Sequence, residues 1–92
     1  MSLRCVIVEL PDRPGSLGQV TTLLGRLGVD IREMRVLSRD GTVATDEFMV
    51  SVPGPVIDRS LPELLEEIQG VRVIAIAPTN TDSGIAGAIV AV

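Results

Sequence analysis

The spacing of apolar positions divides the first 77 residues into six segments. Stretches rich in β-branched residues that alternate with polar ones are typical of strands, whereas two stretches repeat their apolar residues at helical spacing. Gly, Pro and Asp residues separate these stretches, as is usual for turns. The pattern predicts strand, helix, strand, strand, helix and strand over residues 4–10, 15–27, 30–38, 42–52, 60–68 and 71–77.

The ends of the two helices carry their own signals. Gly28 follows the last apolar residue of the first helix, where a glycine commonly caps a C-terminus. Ser60 and Glu63 have the spacing of a capping box, in which each residue satisfies a backbone N–H of the other. The sequence therefore predicts that the second helix begins at Ser60.

The order of these elements predicts the fold. Asp40 and Gly41 form a hairpin turn between the second and third strands, because Asp-Gly readily supplies the positive φ that such turns need. Each strand–helix–strand half needs a right-handed crossover. The result is an α+β, ferredoxin-like βαββαβ fold, with a four-stranded antiparallel sheet and both helices on one face.

The face of the sheet without helices is predicted to mix apolar and charged side chains. Such a mixed patch, together with unpaired edge strands, is typical of an interaction surface, so we expect a homodimer or a higher homo-oligomer. The expected members of this face are Cys5, Ile7, Met49, Ile74 and Ile76 among Glu9, Glu33, Arg35, Glu47 and Arg72.

Residues 78–92 do not belong to this unit. Positions 78–84 have the composition of a linker, and positions 85–92 are apolar up to the last residue. We expect a linker followed by an apolar C-terminal arm, or by the start of a further region of a longer protein.

Composition excludes several classes of function. The chain has no His, Trp or Tyr, one Phe and a net charge of −4, which argues against a nucleic-acid partner and against a His-ligated metal. The single Cys5 excludes paired-cysteine metal sites. We expect no cofactor, no metal and no membrane partner, and the lack of an N-terminal signal pattern favours a cytoplasmic location.

One motif points to a family. Residues 8–17, VELPDRPGSL, place a Pro/Gly turn between a strand and a helix, and residues 28–31, GVDI, continue in register. Over residues 4–77 the chain resembles the ACT domain, a regulatory module that typically binds amino acids. The expected domain therefore comprises residues 1–77.

The resemblance implies a ligand site at a dimer interface. The backbone N–H groups at the helix N-terminus would face the carboxylate of an amino acid, and Asp30 would accept hydrogen bonds from its ammonium group. Asp12 would contact the ammonium group or cap the helix. Structural alternatives also exist for the other residues: Pro14 and Gly15 as residues that only build the turn, Arg13 as an exposed loop charge, and Asp30 as a surface strand end. The ligand-binding residues implied by the family are Asp12, Arg13, Pro14, Gly15, Ser16, Leu17 and Asp30.

The family's loop frequently has Asn or His at the position of Asp12, so this chain carries an added negative charge there. The resemblance implies a regulatory domain that binds an amino acid and controls an enzyme of amino-acid metabolism in cis or in trans. The alternative is a dimerisation or interaction module without a ligand. We expect no catalytic residues and no enzyme activity: an acylphosphatase-like site needs an Asn beside the loop, and the only Asn is Asn80.

Overall fold

A computed structural model describes residues 1–79 of the chain. The four strands form one antiparallel sheet in the order β2-β3-β1-β4, which confirms the ferredoxin-like arrangement. The predicted linker and C-terminal arm comprise residues 78–92, and positions 80–92 of this segment lie outside the described residues. In chain order, the elements are β1 (Ser2–Pro11), α1 (Ser16–Arg26), β2 (Asp30–Arg39), β3 (Val43–Val52), α2 (Pro55–Glu66) and β4 (Arg72–Pro78).

The core lies between the two helices and one face of the sheet. Val20 and Leu24 of α1, with Leu61 and Leu65 of α2, are buried against this face of the sheet. Neither helix in residues 1–79 is long and apolar enough to cross a membrane. The buried sheet residues are Val6, Val8, Leu10, Ala44, Phe48, Val50 and Val52.

The hairpin between β2 and β3 forms where Asp-Gly predicted it. Gly41 has a φ of +88°, and one carboxylate oxygen of Asp40 accepts the N–H groups of Thr42 and Val43 at 2.8 and 2.7 Å. These hydrogen bonds hold the pKa of Asp40 below its usual value.

The predicted start of the second helix is wrong. α2 begins at Pro55, five residues before Ser60, and its N-cap is the extended Gly54 without any side-chain cap. Proline suits the first turn because its φ is already helical and its missing N–H has no partner there. Ser60 therefore lies inside the helix, and Pro62 is accommodated within it as well.

We call the sheet face without helices the open face. Ile76 was predicted to lie on it, and this prediction is wrong because of a β-bulge in β4. The register between β1 and β4 shifts between Ile7 and Val8, so that Ile76 stands opposite Val6 and packs against the core. The bulge breaks the strict alternation of β4, and Ala75 takes the position opposite Ile7.

The open face is organised around Glu47. Its carboxylate pairs with Arg35 at 2.6 Å and lies 3.3 Å from the sulfur of Cys5. Burial, followed by the hydrogen bond to Glu47, raises the pKa of the Cys5 thiol to about 11. The thiol is therefore protonated, and an unreactive Cys5 is expected at neutral pH.

Candidate functional site

The backbone of the loop between β1 and α1, residues 12–15, bends at Gly15. This residue is the N-cap of α1, with φ 91° and ψ −20°, a left-handed conformation that glycine adopts without steric cost. A side chain built there would meet no atom within 4 Å, so the space above Gly15 is open. The structural role of Gly15 in the turn and the predicted access to the backbone are thus both compatible with this geometry.

Asp12 does not cap the helix. Its carboxylate accepts the Nε–H of Arg39 at 3.0 Å through one oxygen and the backbone N–H of Gly41 at 2.9 Å through the other. These contacts tie the loop to the hairpin between β2 and β3. The carboxylate is therefore occupied by groups of its own chain.

The backbone of the loop is partly satisfied within the loop itself. The Arg13 N–H donates to the Pro11 carbonyl at 3.0 Å, and the Ser16 N–H donates to the Arg13 carbonyl at 3.3 Å. The Ser16 N–H, which was expected to face a ligand, is thus engaged locally. Within residues 1–79, the N–H groups of Leu17 and Gly18 form no backbone hydrogen bond, because a first helical turn has no preceding carbonyls in place.

All six loop residues from Asp12 to Leu17 line one cleft of about 340 Å³. This volume is at the lower end of the range for small-molecule sites, roughly 300–1,000 Å³. The opposite wall comes from the end of β1 and from the β2–β3 hairpin. It is formed by Leu10, Pro11, Val36, Arg39, Ala44 and Asp46.

Asp30 lies far from this cleft in the same chain. It pairs with Ser51, which stands opposite Leu3 at the start of β1, whereas the loop follows Pro11 at the end of β1. Eight residues at about 3.3 Å each separate these two ends of the sheet by roughly 26 Å. One copy of the chain therefore does not bring Asp30 and the loop together.

One polar residue of the cleft, Asp46, was missed from the sequence, and it lies beside the predicted Ser16. Asp46 and Ser16 are only 4% and 5% exposed, and the Oδ1 atom of Asp46 and the hydroxyl of Ser16 have no hydrogen-bond partner within residues 1–79. A signal for Asp46 was present, since it follows the same alternation as the buried Phe48 and Val50 and so occupies a core-facing position.

The charge state of Asp46 reflects its surroundings. Burial raises the pKa of the Asp46 carboxyl, while the positive charge of Arg39 lowers it and the negative charge of Asp12 raises it further. The net direction is upward. A buried carboxyl without a partner favours its neutral form until a hydrogen-bond donor or a cation reaches it.

A second, wider depression of about 580 Å³ lies between α1 and the residues after α2. Arg26 is its only charged lining residue among those described, and neither Asp46 nor Ser16 reaches it. Within residues 1–79, no group of three or more His, Cys, Asp and Glu side chains is arranged to hold a metal ion. The smaller cleft is therefore the candidate site.

Comparison with known proteins bears on the family and on the fold. The sequence profile of the ACT domain matches residues 6–73, which is more than half of the chain. No curated protein matches the sequence at a significant level.

Several solved structures share the fold. The ACT domain of GTP pyrophosphokinase from Chlorobium tepidum is 20% identical, with a TM-score of 0.64, over 85% of this chain and 97% of that one. An unknown protein from Galdieria sulphuraria is 15% identical, with a TM-score of 0.69, over 86% of this chain and 45% of that one. A putative glycine cleavage system transcriptional repressor is 20% identical, with a TM-score of 0.67, and the matched region spans 46% of it.

Proposed function

The chain belongs to the ACT domain family, and on this premise we propose that it is a regulatory domain that binds an amino acid in the cleft beside α1. The observation that carries the proposal is the convergence of all six loop residues on one cleft at a helix N-terminus. The family is generally regulatory and binds ligands.

The proposed carboxylate position is the start of α1. The N–H groups of Leu17 and Gly18 form no backbone hydrogen bond within residues 1–79, and the helix dipole favours a negative charge at this end. Gly15 leaves the approach open because it has no Cβ. No side chain at Gly15 therefore has to move for a small carboxylate to approach the first helical turn.

A second copy of the chain would complete the site. β2 is an edge strand of the sheet, and Val36 and Leu37 near its end are 51% and 45% exposed. If two copies pair their β2 edges around a two-fold axis, the strands run antiparallel. If that axis passes midway along β2, Asp30 of one copy would lie near the Arg39 end of β2 in the other copy, close to the mouth of the cleft, where we propose that it contacts the ligand across the interface.

Such a ligand acts by favouring one arrangement of the two copies over another. We propose that this shift controls an enzyme of amino-acid metabolism in cis or in trans. Among the structural neighbours, one ACT domain comes from a GTP pyrophosphokinase, so a domain of this fold does occur as part of an enzyme.

Thermal unfolding against each of the twenty common L-amino acids at millimolar concentration tests amino-acid binding. A ligand at ~100 times its Kd adds about 2.7 kcal/mol. For a domain of this size that raises the Tm by roughly 10 °C or more. A Tm that no amino acid changes, while the fold is intact, would contradict the proposal.

A dimerisation module without a ligand is the second candidate. It is favoured by the internal contacts of the loop, since the Asp12 carboxylate and the Ser16 N–H already have partners in the same chain. It predicts a stable dimer whose Tm depends on protein concentration and not on any amino acid.

A further inference from the structure

Asp46 lines the cleft but lies on β3, outside the loop motif of residues 8–17. The residue is only 4% exposed, and its Oδ1 atom has no hydrogen-bond partner within residues 1–79. A buried carboxyl without a partner is costly, which singles out such a group for a specific explanation.

The charged neighbours of Asp46 do not satisfy it. Arg39 donates its Nε–H to Asp12 at 3.0 Å, and its side chain is otherwise largely exposed. Asp12 adds a second carboxylate to the same cleft. Arg39 is thus paired with Asp12, and Arg13, the other cation that lines the cleft, forms no ion pair with Asp46 within residues 1–79.

The register places Asp46 below the start of α1. It stands opposite Val8 of β1 and Val36 of β2, on the sheet face that carries the helices. Ser16, the first residue of α1, lines the same cleft with a second unpartnered buried oxygen. One cleft thus has at its helix end the Leu17 N–H, which forms no backbone hydrogen bond within residues 1–79, and a carboxylate on its sheet wall.

We propose that the Asp46 carboxylate binds the ammonium group of an amino acid whose carboxylate lies at the N-terminus of α1. This inference rests on the proposed function and assigns the cation end of the ligand to a residue outside the loop. Both charged ends of the amino acid are then held by the same chain. Asp30 of a second copy makes a contact at the mouth of the cleft and not the main contact to the ammonium group.

Calorimetric titration of the full chain tests the proposal. The probes are the twenty common L-amino acids, with propionate and isovalerate as carboxylates that lack an ammonium group. We expect at least one amino acid to bind, and both carboxylates to bind at least about tenfold more weakly than it does. Asp46→Asn should weaken binding of the amino acid about 10- to 100-fold, the usual range for losing a charged hydrogen bond.

Two control variants separate Asp46 from other carboxylates. Glu33→Gln makes the same charge change outside the cleft and should leave the affinity unchanged. Asp30→Asn should weaken binding less than Asp46→Asn does. Unaltered binding in Asp46→Asn, or a larger loss in Asp30→Asn, would overturn this inference while amino-acid binding itself stands. Failure of every probe to bind the unmodified chain would overturn the proposed function together with this inference.

A spectroscopic readout keeps the test independent of the variant's fold. The carboxyl carbon of Asp46, followed by NMR during a pH titration, reports its ionisation directly. Addition of the amino acid that binds best should lower the pKa of Asp46, because a nearby ammonium group favours the ionised carboxylate. Asp12, Arg13 and Arg39 line the same cleft and are present in both titrations. An Asp46 pKa that does not change on binding would contradict the proposed contact.

Discussion

Gly15 determines how the chain enters α1. Its positive φ turns the backbone between the loop and the helix, and its missing side chain leaves the helix N-terminus open. The turn signal in the sequence predicted a glycine-dependent bend here, because the conformational freedom of glycine is a local property. The partners of Asp12 were not predictable in the same way, since they lie 27 and 29 residues further along the chain.

Gly15→Ala should destabilise the domain by about 1–2 kcal/mol, because an alanine is strained in the left-handed region. The matched control is Gly25→Ala inside α1, where φ is ordinary and no atom crowds the new methyl group. That change should stabilise the fold by about 0.5–1 kcal/mol. Urea unfolding of both variants checks the pair, and a Gly15→Ala variant as stable as the unmodified chain would contradict the role of the turn.

Asp46 should make the stability depend on pH. Burial raises its folded-state pKa above the ordinary value of 3.8, so folding favours the protonated form. The stabilisation is fully present below 3.8 and is lost as the pH rises through the raised folded-state pKa. Asp46→Asn carries no such charge and should therefore gain stability relative to the unmodified chain over this window.

The measurement is the free energy of unfolding of both proteins, without ligand, from about pH 3 to about pH 7. Glu33→Gln on the open face serves as the control for a general change of charge. A difference in stability between Asp46→Asn and the unmodified chain that is constant with pH would contradict a raised folded-state pKa of Asp46.

At the scale of elements, α2 shows where local signals compete. The capping-box spacing at Ser60 and the proline at position 55 both mark a helix start, and the structure follows Pro55. The longer helix brings Asp58 to its first turn, where the carboxylate meets Arg4 of β1 at 2.6 Å. Arg4 and Asp58 are 54 residues apart in the sequence. Their contact favours the earlier helix start, and a local sequence pattern could not predict it.

Pro62→Ala should stabilise α2. Proline in a helix interior removes the hydrogen bond to the carbonyl four residues earlier, here that of Asp58, and costs roughly 3 kcal/mol in an unconstrained helix. Because the structure already accommodates Pro62, we expect a gain of about 1–3 kcal/mol. Pro55→Ala, at the helix start, should give no such gain. Chemical unfolding of the two variants compares them, and equal effects would contradict the observed helix start.

In the complete sheet, β2 is an edge strand and pairs only with β3 within residues 1–79. Val36 and Leu37 give this edge an apolar end beside the candidate site, and a register shift between Val36 and Ser38 makes Leu37 the extra residue of a bulge. A second copy that covers this edge would bury these side chains and bring its own Asp30 to the cleft. The site and the association of two copies are thereby linked in one proposal.

Leu37→Asp should weaken association of the chain at least about tenfold, because it places a charge in the proposed interface. Val56→Asp is the matched control, since Val56 is 64% exposed on α2, away from β2. Sedimentation at several protein concentrations measures both variants. Dimers that tolerate Leu37→Asp as well as Val56→Asp would place the interface elsewhere, for example on the open face of the sheet.

Local patterns in the sequence were enough to predict the number, order and type of the six elements and the loop at the start of α1. These features follow from short-range patterns: apolar spacing, and the backbone preferences of Gly, Pro and Asp-Gly. The family resemblance rested on the same loop, and the match over residues 6–73 confirms it.

Which residues meet at the cleft depends on the tertiary packing of the elements. Strand register and the bulge in β4 moved Ile76 to the core and separated Asp30 from the loop. The β2–β3 hairpin brought Asp12 its partners and placed Asp46 below the helix. Contacts between residues far apart in the chain depend on how the elements pair and pack, and a short-range sequence pattern does not predict that pairing.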